Sequence, residues 1–175
     1  NVGQRDLALD EAAAARRVQD LCRELGAQLT RDKSQLREWG RTIADHYDQV
    51  HAFLDAPLLS VALRDLEARG EAPSRLVLVA TKQRDRRFLA GDTFACAEVL
   101  ARLLPERFPA SAGRGPVAVE VVRESPHDLN AMLEVYRDVC ATVTGDRVYA
   151  LCTGGTPACN MALALRAIER FGERC

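Results

Sequence analysis

The segment Cys152-Thr153-Gly154-Gly155-Thr156-Pro157 places two adjacent glycines ahead of a hydroxyl residue and a proline. Paired glycines let a ligand approach the main chain closely. Thr156 suits the cap of a helix and Pro157 its first position. The unpaired amides of such a helix start attract a phosphate or another polar acceptor. Asn160, one turn further on, reaches toward the same space. The pattern also serves as a plain tight connection between a strand and a helix, and spacing alone leaves both readings open. It lacks the Gly-Lys-Ser/Thr of a Walker loop, and it is not GxGxxG.

A second polar stretch, Thr81-Lys82-Gln83-Arg84-Asp85-Arg86-Arg87, follows an apolar run. Cations at such a place suit a polyanionic ligand. Lys82, nearest the apolar run, is the best candidate. Arg84, Arg86 and Arg87 fit a solvated loop with Asp85 as counter-ion, and Asp92-Thr93 is explained by helix capping. The opening Asn1-Val2-Gly3-Gln4-Arg5-Asp6 suits a strand-to-helix turn if a strand stands before it; taken alone, it fits a frayed tail. His46, His51 and His127 are scattered, and the first two are five apart, not the four that put two ligands on one helix face. Spacing yields no Ser-His-Asp set, metal cluster or paired catalytic carboxylates, so neither a metal nor a cofactor is expected.

The elements that must hold these residues differ between the two halves. Residues 10–70 carry helical periodicity: Val18, Leu21, Cys22, Leu25 and Leu29, then Leu36, Trp39, Ile43 and Tyr47, then Val50, Phe53 and Leu54. Pro57 permits a further helix over 58–66 that ends at Gly70. Residues 74–172 alternate as β-α-β-α-β-α: strands over 75–81, 116–122 and 147–152, and helices over 93–104, from a Ser125-Pro126 capping box to 143, and over 157–171. Such alternation predicts an α/β fold, a Rossmann-like parallel sheet flanked by helices, with a helical stretch between its first and second strands. Ligands then bind outside the carboxyl ends of the strands, which singles out the turns at Thr81-Lys82-Gln83, Arg123-Glu124-Ser125 and Thr153 to Pro157.

A chain of 175 residues with 47% hydrophobic content suits a single domain with its own core. The net charge of −1 offers no general basic field for nucleic acid, so direct DNA binding by this domain is not expected. The six cysteines form no CxxC pair and most sit in apolar patterns, which predicts mainly buried filler in a reducing cytoplasm. No apolar run approaches membrane-spanning length, and no signal peptide is visible. Asn1 in place of Met, and a helix stopping near Cys175, lead to the expectation of a fragment of a longer protein.

Three stretches, in order, resemble the CRISPR-associated Rossmann-fold (CARF) domain. They are Asn1-Val2-Gly3-Gln4-Arg5-Asp6-Leu7; Leu78-Val79-Ala80-Thr81-Lys82-Gln83 with Gly91-Asp92-Thr93; and Leu151 to Ala158, with the Thr-Gly-Gly-Thr signature, followed by Asn160-Met161-Ala162-Leu163. The resemblance covers essentially the whole chain, provided the long helical stretch is the first crossover. It implies a homodimer that binds a cyclic oligoadenylate second messenger across its two-fold axis and switches an effector, commonly a nuclease, in the same full-length chain during antiviral defence. By position, Gly3, Gln4, Arg5, Asp6, Thr81, Lys82, Gln83, Thr153, Gly154, Gly155, Thr156 and Asn160 are the implied ligand residues. Some members of that family also cleave the ring through in-line attack by a ribose 2′-hydroxyl, a step that needs orientation and charge stabilisation. Arg5, Lys82 and Thr153 are the candidates to assist it here. A stand-alone ring nuclease, or another Rossmann-like nucleotide-binding protein, are the alternatives. Neither Arg123 nor Arg137 has a His at the HEPN ribonuclease spacing in a helix, so the effector is expected outside this sequence.

Overall fold

The run from Arg75 to Thr81 is rich in Val and Leu, which pack well on a pleated surface. In the computed structural model its last five residues, Val77–Thr81, form a strand whose middle three are buried. The structure describes residues 7–9, 35–111, 115, 117–152 and 154–175. The periodic stretch from Val18 to Leu29 lies outside them, as do Gly3, Gln4, Arg5, Asp6 and Thr153.

In chain order the described elements are β1 (Ala8–Leu9), α1 (Leu36–Asp45), α2 (Tyr47–Val50), a 3-10 turn (His51–Phe53), β2 (Leu54–Asp55), α3 (Pro57–Ala68), β3 (Val77–Thr81), α4 (Phe94–Arg107), β4 (Ala118–Val122), α5 (Leu129–Thr142) and α6 (Pro157–Phe171). The fold is mixed α/β, with a small parallel sheet: β3 and β4 pair from Val77↔Ala118 to Thr81↔Val122. β1 and β2 form a separate two-residue antiparallel ladder, too short to leave a periodic trace in the sequence.

Strand alternation divides the core. Leu78 and Ala80 enter one cluster with Leu36, Trp39 and Ile43 of α1 and Val99, Leu100 and Leu103 of α4. Val79 and Val122 enter another with Met132 and Tyr136 of α5 and Cys159 and Ala162 of α6. Helices thus pack on both faces of β3, which is why that strand reads as a continuous apolar run; β4 is less covered, with Glu120 at its middle and Val121 exposed. Each fully buried Leu contributes about 1.5–3 kcal/mol.

Three expectations need correction. Residues 147–152 form no strand; the Val148 amide donates to the Arg174 carbonyl at 2.8 Å. Val148 and Ala150 instead pack beside Cys140, Ala167 and Phe171, so the apolar alternation is spent on a helix-and-turn pocket rather than a ladder. The helix expected from Ser125 begins at Leu129. Asp128 is its cap, accepting from the Asn130 and Ala131 amides, a carboxylate being a stronger acceptor there than a hydroxyl. The helical pattern through Val50, Phe53 and Leu54 breaks at Val50 and gives way to the 3-10 turn and β2. By contrast α3 starts at Pro57 as expected and ends in a Schellman arrangement. Gly70 stands at φ 72°, its amide bonds to the Glu67 carbonyl, and that of Glu71 bonds to Leu66.

Among the described residues no helix is long and apolar enough to cross a membrane.

Gly40 sets how closely α1 approaches α4. A Cβ there would lie 2.9 Å from both the Cys96 amide nitrogen and its Sγ, and 3.1 Å from the Ala95 Cβ. The obstructing atoms include backbone, which cannot swing away. Gly40→Val is therefore expected to lower unfolding stability by about 2 kcal/mol or more, since overpacking costs about 1–3 kcal/mol and outweighs the small gain in helix propensity. Urea denaturation checks this; an unchanged midpoint would contradict the contact.

Candidate functional site

At the end of β3 the two sides of the strand have different partners. The Lys82 amide donates to the Val122 carbonyl at 2.8 Å, continuing the pairing with β4. Alternation turns Thr81 to the opposite edge, and there Thr93 takes the place of a neighbouring strand. The Thr81 amide donates to Thr93 Oγ1 at 3.0 Å. The Thr93 amide lies 3.2 Å from both the carbonyl and the hydroxyl oxygen of Thr81. Two residues on, the Gln83 amide donates to Asp92 Oδ1 at 2.8 Å, and Asp92 is completely buried. The side-chain capping expected of Asp92-Thr93 is not what they do. Thr93 stands at the cap position of α4 but makes no side-chain cap bond; the two side chains instead hold the amides of Thr81 and Gln83, on either side of Lys82.

Lys82 is half-buried. Its Nζ lies 4.3 Å from the centre of the Phe94 ring, a cation–π contact worth about 0.5–2 kcal/mol. The guanidinium groups of Arg37 and Arg41, from α1, lie 5.6 and 6.0 Å from the same ring centre. Arg37 Nη1 is 3.7 Å from Asp92 Oδ2. That distance is an ion pair but no hydrogen bond, and among the described residues neither Asp92 Oδ2 nor Arg37 Nε has a hydrogen-bond partner. Arg37, Arg41 and Phe94 escaped sequence inspection because nothing local marks them. Their meeting depends on α1 packing against α4.

The remaining cations of the loop separate as expected. Arg87 pairs with Asp85 at 2.6 Å on the surface, and its hydrogen bonds hold the Asp85 carboxyl below the usual carboxylate range. Arg84 and Arg86 are exposed.

The Gly-Gly turn supplies the second group. Gly154 is buried and Gly155 exposed, the latter at φ 79°, a conformation that favours glycine. Thr156 caps α6 by accepting from the Cys159 amide at 3.2 Å, and Pro157 follows at the first position. The Thr156 hydroxyl also donates to the Pro126 carbonyl, which the Cys159 thiol approaches at 3.4 Å. Asn160 lies one turn into α6, half-buried.

These bonds connect the three turns. Lys82 is tied to the end of β4 at Val122, and the chain leaving β4 is tied through Pro126 to Thr156. Val79, Val122 and Cys159 share one apolar cluster beneath them. The structure thus brings Thr81, Lys82, Gln83, Gly154, Gly155, Thr156 and Asn160 onto one linked framework. Chemically it offers a helix start, whose dipole favours negative charge, and a group of three cations.

Among the described residues no group of three His, Cys, Asp or Glu could hold a metal ion. Cys96, Cys140 and Cys159 are buried, as filler cysteines should be, but Cys152 is half-buried and Cys175 exposed; burial pushes the Cys140 thiol up. Arg41 and His46 have four residues between them, a HEPN-like spacing that inspection of Arg123 and Arg137 misses. Five helical positions separate two residues by about 140° around the axis, so the spacing does not join them on one face. Compared with protein-family models, curated proteins and solved structures, the chain finds no match in any of the three.

Asp92→Ala should release the Lys82–Gln83 turn and cost about 1–3 kcal/mol, the penalty for stranding a buried donor. Amide hydrogen exchange at Gln83 should accelerate in parallel. Unchanged exchange at Gln83 would show that another group holds the turn.

Proposed function

We propose that this chain is a CARF-like sensor that binds a cyclic oligoadenylate across a homodimer interface and thereby controls an effector in its full-length protein, within the cytoplasm. The observation that carries the reading is the hydrogen-bonded link from Lys82 through Val122 and Pro126 to Thr156. It holds together, at the carboxyl end of a parallel strand pair, two of the stretches on which the resemblance rests. A phosphodiester ring needs such a combination: backbone amides at a helix start for its phosphates, and fixed cations close by.

The surface of α6 supports the dimeric part of the proposal. Met161, Leu165 and Ile168 are 53%, 49% and 63% exposed. Their spacing of four and three makes one apolar stripe on the helix that the Gly-Gly turn opens. A two-fold axis beside this stripe would present the same turn twice to a symmetric ligand.

Calorimetry with cyclic tri-, tetra- and hexa-adenylate tests the proposal. One ring should bind with a stoichiometry of one per two chains. Gly155→Asp should weaken that binding by about a hundredfold or more, because it sets a negative charge where phosphate approaches and removes charge-assisted bonds worth about 1.5–3 kcal/mol each. Asp tolerates positive φ better than most side chains, so the variant is expected to fold. Absence of heat with every ring would sink the sensor reading, and full affinity in the variant would move the site elsewhere.

A further inference from the structure

Arg37 and Arg41 belong to the helical stretch that precedes β3, remote in sequence from every residue assigned above to the ligand. They nevertheless share the Phe94 ring with Lys82. Three like charges gather around one aromatic side chain, and Asp92 supplies one carboxylate, held 3.7 Å from Arg37 alone. Attraction to a ring face offsets little of the repulsion among three cations.

The polar atoms of the group are also incompletely satisfied. Asp92 is wholly buried, and its Oδ1 is committed to the Gln83 amide. Its Oδ2 accepts nothing, and the buried Nε of Arg37 donates to nothing, among the described residues. A buried guanidinium N–H without an acceptor costs about 1–3 kcal/mol, and the part of the Arg37 side chain that is exposed, 23% of it, is open to an anion. Arg41, one turn along the same helix and exposed, extends the positive surface outward.

We infer that Arg37 and Arg41, together with Lys82, form a phosphate-binding arm over Phe94, contributed by α1 and directed at phosphodiester or phosphate oxygens. A guanidinium's planar fork matches two such oxygens at once, and the location at the carboxyl end of β3 is where ligands of open α/β sheets bind. Asp92 acts as the positioning residue: it orients Arg37 from one side and fixes the Lys82 turn from the other. The arm takes its ligand class from the ring-sensor reading, but its phosphate chemistry is testable apart from it.

The test is a titration of the full chain with inorganic pyrophosphate and, separately, with each cyclic adenylate, following the arginine Nε–Hε signals by NMR. Arg37→Lys and Arg41→Gln assign the two signals, and both variants are titrated in turn. The expected result is a saturable shift of the Arg37 and Arg41 signals with pyrophosphate. Arg41→Gln should weaken binding by about tenfold, the loss of one charge-assisted contact, and should lessen its salt dependence. Arg41 is exposed, so that variant tests the arm even if substitution of Arg37 disturbs packing. Signals that stay still with pyrophosphate and with every ring overturn the inference, as do shifts that Arg41→Gln leaves unweakened. A ring bound equally well by wild type and both variants overturns the arm while the sensor reading survives. Pyrophosphate binding that Arg41→Gln weakens, with no ring bound, upholds the arm and overturns the sensor reading.

Discussion

The clasp between the end of β3 and the start of α4 is the contact on which the candidate site depends. Among the described residues β3 and β4 pair in parallel only with each other, which leaves one edge of each without a strand partner, and unpaired backbone groups are costly when buried. Thr93 answers this at Thr81 with reciprocal bonds of 3.0 and 3.2 Å, and Asp92 repeats the device at Gln83. Lys82, between them, has its amide committed to β4. All three amides of Thr81-Lys82-Gln83 are therefore occupied by other parts of the chain, and the turn is held from both sides.

From that clasp the arrangement extends in two directions. Through Val122 and Pro126 it reaches Thr156 and the start of α6. Through Asp92 and Phe94 it reaches α1, whose close approach to α4 depends on Gly40. Rigid elements thus carry each polar group. Binding groups mounted on fixed backbone lose little freedom when a ligand arrives, which is how preorganisation raises affinity.

Much of this was legible in the residues because it is local. The apolar run ending in Thr81-Lys82-Gln83, the Pro57 start and Gly70 end of α3, and the Thr156-Pro157 opening of α6 each follow from short-range rules about propensity and capping. Ser125 and Asp128 competed for one role, and the carboxylate won by satisfying two amides where the Ser-Pro pattern was equally lawful. Residues 147–152 have strand-like alternation, yet alternation says only that every second residue is buried. What buries Val148 and Ala150, a sheet or the end of α5 and α6, is a tertiary matter. The same limit hid Arg37 and Arg41, whose importance lies wholly in where α1 packs. Gly3, Gln4, Arg5 and Asp6 belong to the proposed pocket by resemblance, and Thr153 also by its place in the Gly-Gly turn; all five lie outside the described residues.

The central claim is that the turn after β3 and the turn before α6 serve one ligand. A backbone amide titration by NMR with the cyclic adenylates tests this most directly. The account predicts that the amides of Lys82 and Gln83 and those of Gly154, Gly155 and Thr156 shift together with one ring and report a single affinity. Shifts confined to one of the two turns, or two turns saturating at different ligand concentrations, would contradict it.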